Sequence, residues 1–124
     1  MVRKEAGFTL IEMVIVTAII AILAALAVQN YWMFKSNAYD STAASDVRNA
    51  APGAELVAAQ GGLGSLIVLD GTGGLVPQLP GVVTSPGVVG TIDVGANSYT
   101  IDVTHTNGAL QYRLDSTAGW TVTP

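Results

Sequence analysis

Three residues near the start of the chain have types and spacing that could do chemistry: Gly7, Phe8 and Glu12. Gly7–Phe8 places a small residue before a large apolar one, behind a leader, MVRKEAG, that carries Arg3 and Lys4. Cleavage there would remove the charged leader and leave Phe8 as a new, hydrophobic N-terminus. Glu12 follows Phe8 by four positions, so on a helix both point near the same face. The stretch around it is almost wholly aliphatic, and a carboxylate on the second turn of such a helix costs roughly 2.5–3.5 kcal/mol in a bilayer. Two partners are in reach. Thr9-Leu10-Ile11-Glu12 has the T-x-x-E spacing of a capping box, in which the glutamate returns to the N-cap amide. The α-amine that such a cleavage would leave on Phe8 is the other.

The element that must position these groups is the run GFTLIEMVIVTAIIAILAALAV, Gly7 to Val28, whose only polar side chains are Thr9, Glu12 and Thr17. As a helix it is about 30 Å long, enough to cross the hydrocarbon core of a bilayer. A basic segment before an apolar run is the plan of a secretory signal peptide, but that signal carries its small-residue cleavage site after the apolar run. Here the small residue, Gly7, comes before it.

The order K-E-A-G-F-T-L-I-E, with its basic leader and apolar helix, resembles the class III signal of type IV prepilins. The resemblance implies that a membrane prepilin peptidase cuts between Gly7 and Phe8 and methylates the new amine of Phe8. It also implies that Glu12, four places after the new N-terminus, is needed for filament assembly. Pilin-like chains commonly carry a proline near Gln29 and often a glycine near Ala21, and many close a C-terminal loop with a disulfide. This chain has neither residue there and no cysteine at all.

Composition narrows the rest. With 124 residues and a formal charge of −4, the chain has room for a membrane segment and one small domain. Removing residues 1–7 leaves Lys35, Arg48 and Arg113 against eight carboxylates, a side-chain charge of −5. Nucleic-acid binding is not expected of such a surface, since it needs clustered Lys and Arg. No His/Cys/carboxylate group has metal-ligand spacing, and no metal or other cofactor is expected. The glycines at 61, 62 and 64 and at 71, 73 and 74 lack the Lys-Ser/Thr of a phosphate loop and are read as turns. His105, the lone histidine, is read as an ordinary exposed residue at a strand end. A catalytic role is not expected.

Beyond the apolar run, Tyr31, Trp32, Phe34 and Tyr39 gather where aromatic residues favour a membrane–water interface. Tyr39, Ala43, Val47, Ala50, Ala54 and Val57 then recur every three or four positions, one face of an amphipathic helix, with Asn37, Ser41, Arg48 and Glu55 opposite. Pro52-Gly53 predicts a kink followed by one or two further turns, and Gly61-Gly62 a stop. Residues 61–90 predict a surface loop region with one short strand or turn near Ser65–Leu69. From Thr91 onward, alternation centred on Ile92, Tyr99–Val103, Leu110–Leu114 and Trp120–Val122 predicts an antiparallel meander. Asn107-Gly108 predicts a two-residue type I′ hairpin pairing Val103 with Tyr112 and Asp102 with Arg113.

Together these readings give an α+β, pilin-like fold: a long N-terminal helix, membrane-spanning in its first half, on a small four-stranded antiparallel head. The expected divisions are a leader (1–7), a transmembrane and filament-core helix (8–28), its amphipathic continuation (29–60), a Gly-rich connection (61–90) and a β-meander (91–124). The implied function is polymerisation into a type IV pilus-like surface filament. The partners would be further copies of the chain in a helical filament, the prepilin peptidase and the pilus assembly machinery. The precursor would sit once through the inner membrane and the assembled subunit in an extracellular pilus. A type II secretion pseudopilin shares the same N-terminus, and a membrane-tethered periplasmic binding module is the alternative from another class.

Overall fold

The computed structural model describes residues 7–124, and the leader residues Met1–Ala6, Arg3 and Lys4 among them, lie outside the described part. One helix, α1, runs from Leu10 to Ala59. The chain divides into two compact units, Met1–Phe34 and Lys35–Pro124.

In the first unit every described side chain, from Gly7 to Phe34, is exposed. Aliphatic residues hold this helix without a polar face, and its one interior hydroxyl is satisfied locally: Thr17 Oγ1 donates to the carbonyls of Met13 and Val14 at 2.9 and 3.0 Å. The stretch is long and apolar enough to cross a membrane.

In the second unit the rest of α1 lies on an antiparallel sheet. Its strands are β1 (Ile67–Asp70), β4 (Val88–Gly95), β5 (Ser98–His105), β6 (Gln111–Asp115) and β7 (Gly119–Thr123), in the order β1-β4-β5-β6-β7. A separate two-stranded ribbon joins β2 (Gly74–Leu75) to β3 (Val83–Thr84). Ala43, Val47, Ala50, Ala54 and Val57 of the helix stripe are buried against Ile92, Val94, Ile101, Val103 and Tyr112. Arg48 and Glu55 remain outside, as the period requires. Helix, sheet and α+β class thus follow the sequence, but the sheet has five strands where four were expected.

The additional strand is β1, which lies where the surface connection was expected to hold one short strand or turn, near Ser65–Leu69, and which joins the sheet. Ile67 and Leu69 face inward while Val68 and Asp70 face out, a period hidden because Ile-Val-Leu is apolar at every position. Val76, Leu79 and Val82 from the same segment are also buried. They reach the helix at Gly53, where an added Cβ would lie 2.5 Å from Val82 Cγ2. Gly53 is therefore a point of close packing, and the helix passes Pro52 to continue as far as Ala59.

The helix ends in a Schellman motif. Gly62 N donates to Val57 O at 2.9 Å and Gly61 N to Ala58 O at 3.1 Å, with Gly61 at φ 105°.

The β5–β6 register is the expected one, with Val103 opposite Tyr112 and Asp102 opposite Arg113. The turn is different. Neither Asn107 nor Gly108 takes positive φ, so no type I′ turn forms. Instead Gly108 N donates to His105 O at 2.9 Å, closing a turn one residue earlier. The cause lies on the helix: Asp40, itself buried, accepts the amides of Ala109 and Leu110 at 2.9 and 3.1 Å and draws the loop inward.

His105 also departs from expectation, because it is buried. Its ring stacks on Tyr39 at 4.3 Å between centroids, and its Nδ1 accepts the Asn107 amide at 3.1 Å. That acceptor role places the ring proton on Nε2.

Candidate processing and assembly site

Residues 7–9 precede the helix in non-helical conformation. Phe8 is 76% exposed, and a Cβ built on Gly7 would meet no atom within 4 Å among the described residues. The fold of those residues therefore sets no requirement for glycine at position 7. A requirement for a small residue there has to come from whatever handles the Gly7–Phe8 bond.

Thr9 and Glu12 form the capping box that their spacing suggests. Glu12 Oε2 accepts from Thr9 N at 2.8 Å and from Thr9 Oγ1 at 2.7 Å, and Glu12 N donates to Thr9 Oγ1 at 3.3 Å. The box satisfies two amides of the first helical turn, where a carboxylate also complements the helix dipole. It brings no cation. From Phe8 to Phe34 the sequence holds no Lys, Arg or His, so within this segment the carboxylate has hydrogen bonds but no countercharge. Gly7, Phe8 and Glu12 thus share a short exposed stretch, with Phe8 immediately before the residue that caps Glu12.

Tyr31 and Trp32 meet edge to face at 5.7 Å in the first unit, whereas Tyr39 is stacked on His105 in the second. Among the described residues no three His, Cys, Asp or Glu side chains are placed to hold a metal.

Two carboxylates escaped the sequence reading. Asp40 and Asp46 are buried, Asp40 on the Ala109–Leu110 amides and Asp46 on Ser85, whose Oγ donates to it at 3.1 Å. The signal was available, since both fall on the same three-and-four spacing as Ala43, Val47 and Ala50. At the β6–β7 turn, hydroxyl and amide donors from Thr117, the Ala118 amide and the Thr100 hydroxyl hold the Asp115 carboxyl far below the usual carboxylate range.

Compared with known families, the chain matches the model described as the prokaryotic N-terminal methylation motif, over residues 2–28. The match takes in the charged leader, the Gly7–Phe8 pair, Glu12 and the apolar run. Neither the curated proteins nor the solved structures gave a match.

Proposed function

Taking as premise that the chain is a type IV pilin-like prepilin with a class III signal peptide, we propose that it is the structural subunit of a type IV pilus-like surface filament. The peptidase removes residues 1–7 and methylates Phe8, and the inner membrane holds the subunit until assembly. The apolar helices of many copies then bundle in the fibre core, exchanging lipid for neighbouring Leu, Ile, Val and Ala side chains, and the heads form the outside. The role is structural, with no catalytic step assigned to the subunit.

The observation that carries this reading is Glu12: an exposed carboxylate, capped but without countercharge among the described residues of its segment, whose side chains are all exposed. In a bilayer, water near the interface and the first-turn amides tolerate it. In a dry fibre core it would be heavily penalised unless paired, and the processed amine of Phe8 supplies the cation. Phe8 of one copy meets Glu12 of the next if the two are offset by about one helical turn, ~5–6 Å. Such a pair adds little net stability after desolvation but penalises wrong registers.

Shearing cells that express the chain tests the reading. Sheared surface fibres should contain the chain beginning at Phe8, and their loss on deletion should accompany loss of visible pili. Fibres that persist unchanged without the chain, or a chain confined to the inner membrane, would contradict a pilus subunit; membrane confinement is what a tethered binding module predicts.

A further inference from the structure

The head sheet ends in β1 on one side and β7 on the other, and among the described residues neither outer edge has a backbone partner. A free row of N–H and C=O groups templates another strand, and proteins that stay monomeric blunt such edges with lysine, proline or charge. Here β7 is not blunted and β1 only by one terminal charge. β7 reads Gly-Trp-Thr-Val-Thr, without charge or proline, and β1 reads Ile-Val-Leu-Asp, with one charge at its end. Trp120 and Val122 stand opposite Leu114 and Tyr112, on the helix-facing side, yet stay 38% and 41% exposed. At the other edge Val68 is 69% exposed. There β1 borders a groove of about 430 Å³, also lined by Gly74, Leu75 and Thr84.

We propose that the two edges are partners: β1 of one copy pairs with β7 of the next, so that the head sheets continue from subunit to subunit. The inference rests on the filament reading above and specifies how the heads meet. Charge selects a second copy at these positions. Processed subunits carry a side-chain charge of −5 and repel, so heads approach best where carboxylates are fewest: β7 has none and β1 only Asp70 at its end, whereas Asp93, Asp102 and Asp115 lie on the inner strands β4, β5 and β6. Direction agrees as well. The successive antiparallel pairings leave β1 and β7 running the same way, so copies repeated along one axis join them as a parallel pair. Finally, a contact between two different edges does not close on itself and propagates, as a fibre requires, whereas β1–β1 or β7–β7 pairing stops at a dimer.

The cysteine-free chain makes the contact directly testable. Val68 and Thr121 end one cross-sheet row, Val68–Thr91–Asp102–Arg113–Thr121, so a continued sheet brings them together. Filaments carrying both Val68→Cys and Thr121→Cys, treated with a short bis-maleimide, should yield a ladder of dimers, trimers and higher oligomers. Either single variant should yield monomer. Intact double-variant filaments without a ladder, or dimers from a single variant, would overturn the proposal. Hydrogen exchange on wild-type filaments reads the same contact without substitution. Outward amides within 67–70 and 119–123 should exchange about tenfold or more slowly than in detergent-dispersed subunits, and equal rates would overturn it. Wild-type cells that make no filament would overturn the filament reading itself and this pairing with it.

Discussion

Gly108 lies against Asp40 so closely that a Cβ on the glycine would collide with the Asp40 Oδ1 atom. The same oxygen holds the two amides that follow, Ala109 and Leu110. A helix residue and a loop separated by most of the head are thereby locked together, and the lock accounts for a glycine that positive φ does not.

Gly108→Ala should accordingly destabilise the head by about 1–3 kcal/mol, the usual cost of overpacking. Asp40→Ala should cost a similar ~1–3 kcal/mol, because it takes the shared acceptor from the part-buried bonds of the Ala109 and Leu110 amides. The two sites share one contact, so the double variant should lose less than the sum of the singles. Thermal melting of the full chain in detergent measures all three, and strict additivity would argue against the lock.

His105→Ala removes the ring stacked on Tyr39 and leaves the Asn107 amide without its Nδ1 acceptor. A loss of about 2–4 kcal/mol is expected, combining lost packing with an unpaired donor. An unchanged melting temperature would return His105 to the surface role that its sequence context suggested.

Those two corrections show where sequence reading succeeds. Val103 opposite Tyr112 was legible because the alternation of apolar residues on both strands sets the register, and it holds although the expected Asn-Gly turn does not form. The turn type was not, because its determinant, Asp40, lies on a different element. His105 lies between Thr104 and Thr106 and looked exposed, since nothing nearby in sequence announces Tyr39 as its platform. A short strand or turn was legible near Ser65–Leu69, where β1 lies, but its inward and outward faces were hidden in a run of three apolar residues, and Asp46 was passed over because a carboxylate is seldom buried. The Thr9–Glu12 capping box was legible from its spacing, because it needs only neighbouring residues.

Acid should weaken the head in part through Asp115. Its carboxyl is held far below the usual value by the Thr117 hydroxyl and the Thr117 and Ala118 amides. A depressed folded-state value means stability that is present above the unfolded value, roughly 3.9, and is lost as pH falls through that region towards the folded one. Asp70, lowered by the Thr72 hydroxyl and amide, acts with the same sign. Between about pH 5 and pH 2 the wild type should therefore lose more stability than Asp115→Asn. Parallel losses would remove Asp115 from the acid response.

Processing should depend on the size of residue 7. Because Gly7 meets no described neighbour, Gly7→Leu should leave the described fold unaltered yet accumulate as uncleaved precursor in the membrane. Mass spectrometry of the wild-type filament subunit should find a methylated Phe8 at the N-terminus. Any other mature N-terminus would refute the assigned site.

The central claim is that the Glu12 charge, beyond its cap, sets assembly, and Glu12→Gln separates the two. Glutamine at this position of a T-x-x-E/Q box still caps the helix, but it gives the Phe8 amine no countercharge. Filaments counted by electron microscopy should fall to few or none in cells producing the variant, although it remains inserted and cleaved after Gly7. Wild-type numbers of normal filaments from Glu12→Gln would contradict the account and leave Glu12 as a helix cap alone.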